Sequence, residues 1–123
     1  MGSLAVDISR GGVSAGTSQA INGQVQTGVS AAGSVITDAT DLISTVSVVT
    51  TVSSGQGVQL PSMMKGDQVE VYNATTTALK VYPDQSTVAI NQLAAGSAVT
   101  LNQYQGATFR KTSSTQIWAN LSA

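Results

Sequence analysis

Aliphatic and polar residues alternate over two stretches flanking a Thr-rich turn: Val69 and Val71 with Glu70 and Tyr72, then Leu79 and Val81 with Lys80 and Tyr82. A period of two puts successive side chains on opposite faces of a strand, so each stretch has one face to bury. The spacing predicts a β-hairpin over residues 66–83. Val71 lies opposite Leu79, Val69 opposite Val81 and Glu70 opposite Lys80, with residues 74–76 closing the turn. A shift of two residues would keep the same faces. On either register Tyr72 and Tyr82 share the outer face.

The same pattern recurs through the last two thirds of the chain. Aliphatic residues become dense from Val35 onward, and a strand is expected over 42–52, ended by Ser53-Ser54-Gly55. Val58-Gln59-Leu60 reads as a short strand stopped by Pro61, which has no N–H for a ladder. Val88 and Ile90, then residues 97–101, 107–112 and 116–121, supply further strands. Phe109 is expected inward, together with one of the adjacent pair Ile117 and Trp118. Gly66, Gly96 and Gly106 each end a turn and open a strand. Short strands with turn chemistry between them predict an all-β fold: a small antiparallel sandwich or barrel of about seven strands.

Residues 1–33 break the pattern. They are rich in Gly, Ser and Ala, with Val6, Ile8, Val13, Ile21, Val25 and Val29 thinly spread. A short helix over 17–25 would have to tolerate Gly23 and Gly28. The reading is an extended N-terminal arm over 1–33 and a β-domain over 34–123. The arm's aliphatic residues Ile8, Val13, Ile21, Val25 and Val29 are candidates for contact with a neighbour. Tyr72 and Tyr82 would add an aromatic patch.

Composition sharpens this picture. Charged residues are 9% of the chain and the formal net charge is -1, so little electrostatic repulsion keeps copies apart. Ser, Thr, Asn and Gln far outnumber the ionisable groups. Such a neutral, hydrogen-bonding surface suits packing against other proteins. One Trp, one Phe and three Tyr leave small aliphatic residues to fill most of the core.

With neither Cys nor His, the chain has no thiol nucleophile, no thiolate or imidazole metal ligand, and no side chain that ordinarily titrates near neutral pH. No catalytic, cofactor or metal residue is singled out. Asp38, Asp41, Asp67, Glu70 and Asp84 lack the alternating spacing of a calcium loop and read as surface groups. Arg10, Lys65, Lys80, Arg110 and Lys111 are too few to neutralise a run of phosphates, so no nucleic-acid partner is expected. No run of about 18 apolar residues predicts a membrane span. Asn73-Ala74-Thr75 and Asn120-Leu121-Ser122 match glycosylation sequons.

The succession Val49-Thr50-Thr51-Val52, Gly57-Val58-Gln59-Leu60-Pro61, Gly66 to Tyr72, Ala78 to Pro83, Ile90-Asn91, Ala107-Thr108-Phe109 and a late Trp118 resembles small β-rich virion proteins of tailed bacteriophages. It looks most like head decoration, or cement, proteins. That resemblance implies a non-enzymatic homo-oligomer, a trimer for preference, made in the host cytoplasm and seated on the capsid surface against the major capsid protein or other virion proteins. A tail, baseplate or fibre component is the structural alternative. A glycan-binding module with Tyr72, Tyr82 or Trp118 as its platform is the alternative from another class.

Overall fold

A computed structural model describes residues 25–122, and among them it contains ten β-strands and no helix. The strands are β1 (Val25–Ser30), β2 (Thr40–Asp41), β3 (Val46–Thr51), β4 (Gly57–Gln59), β5 (Gln68–Asn73), β6 (Leu79–Tyr82), β7 (Ala89–Ile90), β8 (Val99–Leu101), β9 (Gly106–Ser113) and β10 (Gln116–Leu121). They form a six-stranded sheet in the order β1-β3-β5-β9-β10-β7 and a four-stranded sheet in the order β2-β4-β6-β8.

The winding differs from the expected antiparallel sandwich or barrel. The first six strands alternate between the two sheets and run parallel to their neighbours within each: β1 with β3, β3 with β5, β2 with β4 and β4 with β6. This is a short β-solenoid. One rung carries the chain 21 residues, from Val25 to its partner Val46, and the next carries it 24, from Val46 to Glu70. Each rung contributes one strand to each sheet, and stacking the rungs builds a shared interior. The last four strands end the winding. β8 and β9 pair antiparallel with β6 and β5, β10 returns along β9, and β7 lies parallel to β10 at the sheet edge.

The predicted hairpin is therefore absent, although its faces are right. Val69, Val71, Leu79 and Val81 are all buried, but β5 belongs to one sheet and β6 to the other. Their aliphatic residues meet across the interior instead of side by side, and Glu70 pairs in the ladder with Val46 and Thr108 and not with Lys80. Asn73 makes the sheet switch possible. Its buried amide donates to the carbonyls of Thr77 (2.8 Å), Leu101 (3.2 Å) and Asn102 (3.1 Å), while its Oδ1 accepts from the Thr75 N–H (3.0 Å) and hydroxyl (2.7 Å). That ties the crossing loop to the β8–β9 turn and leaves the first sequon asparagine enclosed.

The core is built from small aliphatic residues around Phe109, with Leu79, Ile90, Leu101 and Ile117 as its other largest fully buried members and Leu42, Leu60 and Met63 packed with them. Residues 25–33, counted with the arm in the sequence reading, contribute as well: β1 pairs with β3, Val29 is in the core, and Ala32 bridges to Gly57. β3 alternates with Ser47 and Val49 inward and Val46 and Val48 half-buried on the outer side.

Candidate interaction surface

Alternation along β9 and β10 decides what the larger sheet presents to solvent. Ala107, Phe109, Lys111 and Ile117 point inward, which leaves Thr108, Arg110, Thr112, Trp118 and Asn120 outside. The ladder then sets rows across three strands. Trp118 pairs with Arg110 and Arg110 with Gln68; Asn120 pairs with Thr108 and Thr108 with Glu70. The Arg110 guanidinium donates to the Gln68 side-chain oxygen and, at 3.4 Å, to the Gly66 carbonyl. Gln68, Thr108, Arg110, Thr112, Trp118 and Asn120 line a hollow of about 500 Å³. Beyond it Tyr72 donates its hydroxyl to the Glu70 carboxylate. That hydrogen bond, together with desolvation and the charge of Glu70, holds the Tyr72 phenol above its ordinary pKa.

Three further exposed apolar residues lie along the edge where the parallel strands of the larger sheet begin: Val25 opens β1, Ile43 precedes β3 and Met64 precedes β5. Val25, Ile43 and Met64 stand 62%, 78% and 76% exposed. The loops carrying them are held in place: the Ile43 N–H donates to Gln26 Oε1 (3.4 Å), and the Met64 N–H donates to Asp67 Oδ2 (2.8 Å). Ile43, Pro61 and Met63 share a shallow hollow of about 250 Å³ with Asp67, Gln68 and Val69.

Next to Met63 lies a buried ion pair. Lys111 Nζ is 2.9 Å from Asp84 Oδ2 and 3.1 Å from the Met63 carbonyl, and the Met63 N–H donates to the same Asp84 oxygen (3.0 Å). Both side chains are almost wholly enclosed. Asp84 thus departs from the surface role expected of it. Every partner in this cluster is a neighbour in the fold, so its evident work is to fasten the Met63 loop and the turn after Pro83 to β9. Among the described residues no three Asp or Glu side chains gather as a metal site would require.

Of the candidate contact residues, Ile8, Val13 and Ile21 lie outside the described residues. Val25 is exposed on β1, whereas Val29 is buried in the core and unavailable to a neighbour. Tyr72 is exposed, but Tyr82 is buried and donates its hydroxyl to the Ser34 carbonyl (2.9 Å), so the two make no aromatic patch. They fall apart because β5 and β6 are in different sheets. The pairing of Trp118 with Arg110 went unread, although the two are equidistant from Ser114 in the turn between β9 and β10 and folding the chain there would have placed them together. No family model matches this chain, and comparisons with curated proteins and with solved structures give no match.

Proposed function

We propose that this chain is a non-enzymatic structural protein of a tailed-phage particle, a head decoration protein that binds between capsid subunits and reinforces the shell. The observation that carries this reading is the exposure of Val25, Ile43 and Met64 along the edge where β1, β3 and β5 begin, on a protein with only 9% charged residues. Burying such side chains is worth roughly 1.5–3 kcal/mol each, and few charges must be stripped of water alongside them. Binding that adds buried interface between shell subunits stabilises the assembled state by mass action and needs no covalent chemistry. On this reading the protein is made in the host cytoplasm, forms a homo-oligomer, a trimer for preference, and meets the major capsid protein at the capsid surface.

The solution mass, and the heat resistance of particles with and without the protein, test it. Wild type should run as an oligomer and raise the temperature at which particles release their DNA. Ile43→Ser with Met64→Ser should weaken both effects while leaving the melting temperature of the isolated fold nearly unchanged. A clean monomer that gives particles no added resistance overturns the proposal. The solenoid winding favours a second structural reading, since β1 has one strand neighbour among the described residues and offers a ladder edge for extension along a tail or fibre. Imaging particles with a label on this chain separates head from tail.

A further inference from the structure

Trp118 is the chain's one tryptophan, and the fold spends it outside the core. Its indole stands 44% exposed beside Arg110 in the hollow over β5, β9 and β10. Around it are two hydroxyls, Thr108 and Thr112, and two carboxamides, Gln68 and Asn120. Arg110 carries the only formal charge among the lining side chains. Its guanidinium is steadied by Gln68 and the Gly66 carbonyl, which leaves other N–H groups of its five donors for a ligand.

We infer that this hollow binds an acidic sugar, a glycan residue bearing a carboxylate, with Trp118 as the stacking platform and Arg110 as the carboxylate partner. Each part of the lining answers to one part of such a ligand. An aromatic ring offers an apolar face to the C–H side of a pyranose while its N–H end stays hydrated. Hydroxyl and carboxamide groups both donate and accept, as a ring of sugar hydroxyls requires. A guanidinium fork matches a carboxylate in two hydrogen bonds, which a neutral sugar has nothing to meet. Glu70, which pairs with Thr108 across β5 and β9, is already engaged by the Tyr72 hydroxyl. The volume, about 500 Å³, falls within the roughly 300–1,000 Å³ of small-molecule sites. A protein partner fits less well: a stable interface takes about 800 Å² from each side with an apolar centre, and the exposed Val25, Ile43 and Met64 lie outside this hollow, along the edge where β1, β3 and β5 begin.

The test is calorimetric titration of the intact protein with sialyllactose, with a trisaccharide of galacturonic acid, with lactose as the neutral control and with tetraglutamate as an acidic peptide. At least one acidic sugar should bind with a dissociation constant in the millimolar range or tighter, as expected of an open platform, and lactose at least tenfold more weakly. Trp118→Ala should weaken the acidic sugar at least tenfold. Arg110→Gln should bring it down to the level of lactose, while Arg110→Lys keeps part of the preference. Melting temperatures of all three variants should stay near wild type, because both side chains are outside the core. Trp118→Gln, which keeps side-chain bulk without a ring and should lose binding as the alanine variant does, serves if the alanine variant unfolds. No binding of either acidic sugar at about 10 mM, equal binding of lactose, binding that survives the loss of Trp118, or equal binding of tetraglutamate each overturns the inference. These outcomes are independent of whether the protein associates through Ile43 and Met64.

Discussion

Asp84 has one oxygen engaged twice, by Lys111 Nζ and the Met63 N–H, and a second buried oxygen with no hydrogen-bond partner among the described residues. Taking two charges out of water is expensive, and their attraction offsets the loss only while both are present. Removing one partner should therefore cost far more than removing both. Asp84→Ala or Lys111→Met alone should destabilise the fold by about 3–5 kcal/mol, whereas Asp84→Leu combined with Lys111→Met should come back close to wild type. Urea midpoints at an unchanged slope would measure this. Half of the arrangement was legible in the sequence. Arg110 and Lys111 are adjacent on a strand, so one of them has to face inward, and with Phe109 inward it has to be Lys111. Its partner was not legible, because Asp84 follows Tyr82-Pro83 in what reads as an ordinary turn.

Glycine positions report on how the strands of this winding approach one another. Gly57 opens β4 against β6, and a Cβ there would stand 2.6 Å from the Lys80 carbonyl oxygen and 2.9 Å from Tyr82 Cε2. The obstructing atoms are ladder backbone and a buried ring, neither of which can move aside. Gly57→Ala should cost about 1–3 kcal/mol. Gly106→Ala also meets a ring, but it is that of exposed Tyr72, which can swing outward. Its stability should change little, and the Tyr72 phenol, freed from Glu70, should titrate nearer the ordinary 10.0; ultraviolet titration against Tyr72→Phe reads this. On β5, β6 and β9 strand positions and inward faces were legible because period two is a local property of the backbone, whereas β1 and β2, with few aliphatic residues, were not. Which strands become neighbours was not, because a turn such as residues 74–78 can fold a strand back beside its predecessor or lift it into the opposite sheet. The Asn73 amide, through bonds to Leu101 and Asn102 far along the chain, decides between them.

At the scale of the whole molecule, the composition reading and the fold meet. An all-β chain was legible from its turns and alternation, while the solenoid was not, since its rungs of 21 and 24 residues share no repeated motif. Sandwich and solenoid place the same aliphatic residues inside and differ only in which loops cross. The crossing has a consequence for integrity. Because the chain changes sheet at each of its first six strands, β1 to β3 grip the remainder twice: β3 lies on β5 in one sheet and β2 on β4 in the other. A protease site placed at exposed Ser53-Ser54 would sever the polypeptide without freeing either piece. The cut protein should travel as one body through a sizing column and part only in denaturant, so the two fragments, made separately, would find each other as halves of a clasp.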